Sequence, residues 1–474
     1  MRQAAIIVAG ERRSGARRER ILSPWDGTVV GEVEVGDAHD IDAAIERAHA
    51  ARAQLRDWPT HARARLLQAT AQRIRERADE LARLIALESG KPITLARAEV
   101  ARAAITFEVS AGEARSFGGE TFPVDLEPRG EGRLGFTLRV PRGVVAAISP
   151  FNFPLNLVAH KLAPALAVGA PVILKPAPQC PLTALLLVEW LLELGAPPAA
   201  LSALHCAPEV AERMVRDERV AVLSFTGSDR VGWHLKSLAG RKQVLLELGG
   251  NAPCIVDETA DWRAALKPIA TAAFAYAGQV CVKAQRILVH ESVFASFTEE
   301  LARAASGLCC GNPLDESTVV GPLIDDAQAA RVLAWIDEAR ADGAKLLCGG
   351  TRSERIVRPT LLADVRDEAR VCREEVFGPV AIVESFRDFG AALERCNATR
   401  YGLQAGLFTR DLGRSLRAAR ELEYGGVIVN DTSAFRIDSM PYGGSKHSGI
   451  GREGPRSAME EFTEPRTVIL RPAP

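Results

Sequence analysis

The 474-residue sequence has almost no net charge: 59 Lys and Arg stand against 60 Asp and Glu, a formal balance of −1. No global field therefore steers the chain toward nucleic acid or an anionic membrane. Nor is there a basic stripe with interleaved aromatics of the kind that binds nucleic acid. Long hydrophobic runs are missing too. Residues 181–194 form the longest, which Glu189 interrupts, and it falls short of the roughly 20 residues that a bilayer requires. Residues 1–10 carry a short apolar patch but lack a charged leader with a full-length apolar core and a clear small-residue cleavage site. A signal peptide is not expected, and a cytoplasmic location is.

Nine cysteines are scattered, at positions such as 180, 206, 254, 281 and 348, and none has C-x-x-C spacing. That excludes a paired zinc or redox motif and suits reduced thiols. The adjacent Cys309 and Cys310 read as two buried small apolar residues. No cluster of His, Cys or carboxylates has metal-ligand spacing, so no metal is implied, and His160 and His447 read as packing or surface residues. Tandem repeats and low-complexity tracts are absent as well. What remains is an ordinary globular composition, 47% hydrophobic and 25% charged, with a small molecule as the expected partner. The length exceeds what one core usually serves, so two or three domains are expected.

Residues 63–115 show apolar positions at three- and four-residue intervals, the pattern of amphipathic helices. Residues 119–141 differ. Pro123, Pro128, Gly130 and Gly132 break helices before an alternating run at 134–140, which suggests a protruding hairpin or arm. Short apolar runs follow at 144–148, 172–174, 201–204, 220–225 and 244–246, separated by helix-like segments. That alternation predicts a parallel, doubly wound sheet. Pro181 opens one of its helices, Gly195 follows that helix, and Gly227-Ser228 precedes another. A second βα-rich block spans about 251–426, and 463–470 reads as a final strand.

The nucleotide fingerprint G-x-G-x-x-G is absent, because the first of these strands runs into Pro150-Phe151-Asn152-Phe153-Pro154 instead. After the fourth strand, FTGSDRVG at 225–232 could hold one phosphate group on glycine, hydroxyl and helix amides; it could equally be a plain turn. Glu247, in ELGGN, ends the fifth strand beside a glycine turn, where catalytic groups often sit. Cys281, in GQVC, follows a stretch of small residues. Taken singly, the first reads as a surface charge and the second as a buried inert thiol.

Together the motifs PFNFP, FTGSDRVG, ELGG, GQVC, EEVFGP at 374–379 and MPYGGSK at 440–446 come in one order, with Glu247 and Cys281 34 positions apart. In this the chain resembles the aldehyde dehydrogenase superfamily, most nearly the lactaldehyde, non-phosphorylating glyceraldehyde-3-phosphate and small anionic aldehyde dehydrogenases. The resemblance implies an α/β fold of two doubly wound Rossmann-like domains and a β-strand oligomerisation arm. It places the cofactor domain at 1–119 and 142–246, the catalytic domain at 247–456, and the arm at 120–141 and 457–474. A homodimer or homotetramer is expected, since the arm would leave strand edges unpaired.

The same resemblance implies the chemistry. Cys281 attacks the aldehyde carbon, and Asn152 with the Cys281 backbone N–H stabilises the oxyanion. A nicotinamide cofactor, NAD or NADP, takes the hydride, and Glu247 activates the water that hydrolyses the thioester. Lys175 is assigned to the adenosine ribose, Ser228 to the pyrophosphate, Glu375 to the nicotinamide ribose and Phe377 to the nicotinamide. Ile148, Ser149, Pro150, Phe151, Pro178, Gly227, Leu248 and Gly249 complete the cradle. Two departures matter. The family often has K-P-S-E where this chain reads Lys175-Pro176-Ala177-Pro178, so the acid that repels a 2′-phosphate is missing and NADP use is expected. Leu204-His205-Cys206-Ala207 stands where a glycine-rich turn is common.

Arg102 and Arg436 are expected to converge on an anionic substrate group through forked hydrogen bonds; each could instead form a structural ion pair. Three rival readings stay open: a CoA-acylating relative, which Glu247 disfavours, a cysteine-dependent esterase or acyltransferase, and a non-enzymatic protein on the same fold.

Overall fold

The computed structural model describes residues 2–471. Residue 1 of the expected cofactor domain and residues 472–474 of the expected arm lie outside the described residues.

Each short aliphatic run becomes a strand because both of its faces are covered, so no polar alternation is needed. Val144–Ile148, Val172–Lys175, Leu201–Ala203, Val220–Thr226 and Gln243–Glu247 lie parallel, in the spatial order fifth, fourth, first, second, third. This order reverses direction between Val144–Ile148 and Val220–Thr226, and a ligand crevice forms at the carboxyl ends of strands flanking such a reversal. Those ends deliver Ser149 and Gly227. Asn156–Val168 and Pro181–Glu193 contribute to the core on one face, Ala38–Arg56 and Pro208–Arg216 to that on the other.

Antiparallel strands border the parallel five. Ile6–Val8 and Glu11–Arg13 extend one side, and Gly449–Ile450 joins Gln243–Glu247 on the other. Residues 449–450, expected in the catalytic domain, thus belong to the first sheet. Glycine makes this possible: a Cβ at Gly449 would lie 2.2 Å from the Leu246 carbonyl oxygen. The sequence reading also missed a three-stranded sheet of Arg2–Ala4, Val29–Val35 and Arg17–Leu22.

The second block folds into a seven-stranded sheet, parallel except for Lys345–Cys348 at one edge. Ala284–His290 and Ala252–Val256 lie side by side within it. Cys309 and Cys310 depart from expectation, the first exposed and the second half-buried, because they lie on the segment between a helix end at Ser306 and the bridge of Cys310 to Val320.

Thr463–Leu470 pairs antiparallel with Leu134–Pro141 along its whole length, and Thr121–Phe122 adds a third strand. The ribbon leaves Thr463–Leu470 as an edge strand, on which Ile469 and Leu470 are nearly half exposed. An apolar free edge of this kind favours pairing with a second copy. Light scattering is expected to give a dimer or tetramer; a monomer at micromolar concentration would contradict it.

Candidate active site

Cys281 is delivered by an unusual reversal of the chain. After the helix Trp262–Phe274, three successive residues adopt left-handed backbone: Tyr276 at φ 53°, Ala277 at 52° and Gly278 at 65°. Non-glycine residues in this region cost of order 1 kcal/mol or more each, so the surroundings must hold them. Tyr276 N–H donates to the Val319 carbonyl and its hydroxyl to the Ser89 carbonyl. The next side chain, the buried Gln279, donates to the Pro322 carbonyl at 3.2 Å and accepts from Ile324 N–H at 3.0 Å. Cys281 follows on a fixed loop, half-buried, just before Ala284–His290.

Asn152 approaches from the first sheet. Its segment is held from behind by Glu99, whose carboxylate accepts from the Leu155 and Asn156 backbone N–H groups at 2.9 and 3.1 Å and pairs with Lys91. A carboxylate at a helix N-terminus is favourable there. The Asn152 side-chain amide donates to the Gln279 carbonyl at 2.9 Å, which leaves one of its two N–H groups for another acceptor. The Cys281 N–H makes no backbone hydrogen bond among the described residues.

Glu247 ends the strand Gln243–Glu247 with a side chain 3% exposed, and neither carboxylate oxygen has a hydrogen-bond partner among the described residues. The turn after it touches the Cys281 loop: a Cβ on Gly250 would fall 2.4 Å from the Cys281 carbonyl oxygen. Burial, with Glu453 nearby, pushes the Glu247 carboxyl well above its ordinary range, against Arg436, Lys161 and Arg452. Burial also raises the Cys281 thiol to about 11, while a hydrogen bond with Tyr442 acts in the opposite direction. At rest the sulfur holds its proton and needs a base.

Beside this cluster lies a cavity of about 490 Å³, walled by Arg102, Phe153, Lys267, Thr271 and Phe435 and reaching Val280. Of the two arginines expected to meet a substrate anion, only Arg102 lines it. Its Nε and Nη2 bind Asp438 at 3.0 and 2.9 Å, leaving Nη1. Arg436 forms the structural ion pair that was its alternative reading: its side chain is 8% exposed, binds Glu453 at 2.6 Å and packs on the Tyr442 ring. Glu453, 17 positions downstream, supplies the buried counter-charge that draws it inward. Lys267, which the sequence did not single out, makes no ion pair among the described residues.

A sequence profile of the Aldehyde dehydrogenase family matches residues 11–468. The chain belongs to that family. The 3-sulfolactaldehyde dehydrogenase of Priestia megaterium is 43% identical, over 99% of this chain and 98% of its own. Aldehyde dehydrogenase 21 from Physcomitrella patens, solved with its reaction product succinate, superimposes with a TM-score of 0.96 at 41% identity, covering 99% and 98% of the two chains. The glyceraldehyde-3-phosphate dehydrogenase of Methanocaldococcus jannaschii, solved with NADP, gives 0.92 at 38% identity over 96% and 100%. Solved neighbours carry NADP or NAD, the cofactors of this aldehyde dehydrogenase family.

The residues assigned to the cofactor by resemblance gather at the crevice of the first sheet. Ser149, after Ile148, has a buried hydroxyl without a partner among the described residues, and its N–H donates to the Lys175 carbonyl. Lys175 is buried, unpaired among the described residues, and desolvation lowers its pKa. Pro178 is exposed beyond it. Gly227 leads into Ser228, the N-cap of Asp229–Leu238. Leu248 packs against Gly232, and a Cβ on Gly249 would meet Glu375 Oε2 at 2.4 Å. Glu375 accepts from Gly250 N–H at 3.0 Å, and burial raises its pKa to about 7. Phe377, with φ of 45°, meets Phe151, the residue after Pro150, edge-on at 5.9 Å. An orphaned hydroxyl and an unpaired ammonium at the ends of adjacent strands on one side of the reversal point, across from Gly227, suit a nucleotide.

Glu247 in this aldehyde dehydrogenase also makes stability depend on pH. Its folded pKa lies above the unfolded value, so the native state holds the extra proton and loses stability as pH rises through the window between the two. Glu247→Gln removes that loss. Its melting temperature is expected to gain on the native protein as pH rises above the ordinary carboxylate range; a difference that does not change with pH would show that Glu247 is not desolvated.

Proposed function

We propose that this aldehyde dehydrogenase oxidises a small anionic or hydroxylated aldehyde to its carboxylic acid, preferring NADP to NAD, through a thioester on Cys281. The observation that carries the reading is the approach of the Asn152 amide and the ELGG turn to the Cys281 loop from two directions.

The Cys281 thiol gives its proton up to solvent, and Sγ bonds to the aldehyde carbon. The oxygen becomes an oxyanion held by the free Asn152 N–H and the Cys281 backbone N–H, donors that are worth most where water is excluded. Loss of hydride from that carbon re-forms the carbonyl as a thioester. NAD(P), when bound, would supply the hydride acceptor, and Ser149, Lys175, Ser228, Glu375 and Phe377 would hold it. Glu247 then draws a proton from water, whose oxygen bonds to the thioester carbon; the acid departs and the thiol is restored. One water is consumed and one hydride transferred per aldehyde.

The family's ribose-binding glutamate is replaced by Pro178, so no carboxylate repels a 2′-phosphate there, while Lys175 keeps an ammonium available. Cys281→Ser is expected to abolish cofactor reduction, Asn152→Ala to lower kcat by about a hundredfold, and the native enzyme to show the higher kcat/KM with NADP. Native-like turnover by Cys281→Ser would refute the mechanism, and equal efficiency with NAD would refute the preference.

For the substrate, the free edge of Arg102 and the unpaired Lys267 give the cavity two cationic groups for a carboxylate, sulfonate or phosphate tail. The relatives named above for sulfolactaldehyde and succinate favour this class. Arg102→Ala and Lys267→Ala are each expected to lower kcat/KM for succinic semialdehyde at least tenfold more than for propanal. An unchanged ratio in both variants would defeat the anionic assignment.

A further inference from the structure

Two features of the site have no part in the mechanism above. Tyr442 Oη lies 3.2 Å from Cys281 Sγ, and beneath its ring sits the Arg436 guanidinium, 3.8 Å from the centroid. We infer that the Tyr442 hydroxyl is a further catalytic residue, donating a hydrogen bond to the Cys281 thiolate, and that Arg436 is the positioning residue that polarises it. The inference rests on Cys281 being the nucleophile.

The geometry is built rather than incidental. Tyr442 N–H donates to the Glu453 carbonyl and Glu453 N–H to the Tyr442 carbonyl, so the two backbones are clamped together. The Glu453 side chain in turn holds Arg436 at 2.6 Å. Tyr442, Glu453 and Arg436 therefore form one unit with the hydroxyl at its tip. Burial keeps the phenol protonated, as a donor must be. When the sulfur is a thiol, either atom can donate; when it is a thiolate, only Tyr442 can.

The charge balance explains the need for such a donor. Glu375 and Glu247 both disfavour negative charge on the sulfur, and so does burial. Arg436 and the Tyr442 hydrogen bond are the groups that favour it. A hydrogen bond to the charged form lowers a pKa. The unit also accounts for Arg436, which the sequence suggested as a substrate contact and the structure puts behind the tyrosine.

The test is the pH dependence of Cys281 alkylation by iodoacetamide in the full-length protein without cofactor, read on the Cys281 peptide by mass spectrometry. Tyr442→Phe is expected to move the midpoint upward by about one pH unit and slow the reaction about tenfold on its rising limb. Site-specific 3-fluorotyrosine at 442, which preserves the ring and acidifies the hydroxyl, is expected to move it downward. Profiles that coincide with the native one, or that move the other way, would overturn the inference while leaving the nucleophile intact. If Cys281 instead proves unreactive across the whole pH range in the native protein, the reading of the nucleophile fails with it. A packing role for Tyr442 would change melting temperature without shifting the profile.

Discussion

One hydrogen bond joins the two halves of the site. The Asn152 amide, just beyond a strand of the first sheet, donates across 2.9 Å to the Gln279 carbonyl, on the loop that enters a strand of the second. Neither sheet holds the chemistry alone. Asn152 depends on Glu99 to anchor the helix behind it, and Cys281 depends on a left-handed reversal that Ser89, Val319 and Pro322 hold in place. The strain of that reversal is sustained by buried contacts, and it sets Cys281 just beyond the Gln279 carbonyl that the Asn152 amide binds.

Removal from water is the second constraint. Glu247 has no hydrogen-bond partner for either oxygen among the described residues, and Cys281 is held near pKa 11. A solvated carboxylate would be too weak a base at neutral pH, and a solvated thiolate would be free to oxidise. Burial makes Glu247 more basic, which suits the role proposed for it, and keeps the sulfur protonated at rest. Glu453, Lys161, Arg436 and Arg452 set the local field in which this happens.

Much of the proposed site was legible in the sequence, because the residues it assigns to the chemistry sit in short motifs at or near strand ends. Asn152, Glu247 and Cys281 could be named from PFNFP, ELGG and GQVC, and the five parallel strands from their aliphatic runs. What failed was anything set by a distant partner. The choice between the two readings of Arg436, substrate contact or structural ion pair, could not be made because nothing local shows that Glu453 captures it. Gly449–Ile450 crossed to the other sheet because of a close approach to Leu246 that no nearby residue announces. Cys309 looked apolar, yet its exposure depends on how the segment after Ser306 is covered. Tyr442 was visible only as a letter in MPYGGSK; a hydroxyl just before a glycine pair was the available signal, and its meaning needed the position of Cys281. Lys267 was the one cation in the small-residue run KPIATAAF, a contrast that could have marked it.

The central claim is that the substrate's carbon is covalently bound to Cys281 when its hydride leaves. Trapping that bond is the most direct measurement: Glu247→Gln mixed with succinic semialdehyde and NADP, quenched in acid and digested for mass spectrometry. The account predicts a stoichiometric burst of NADPH and a succinyl group on the peptide containing Cys281. A burst with no acyl group on that peptide, or an acyl group on any other residue, would contradict it.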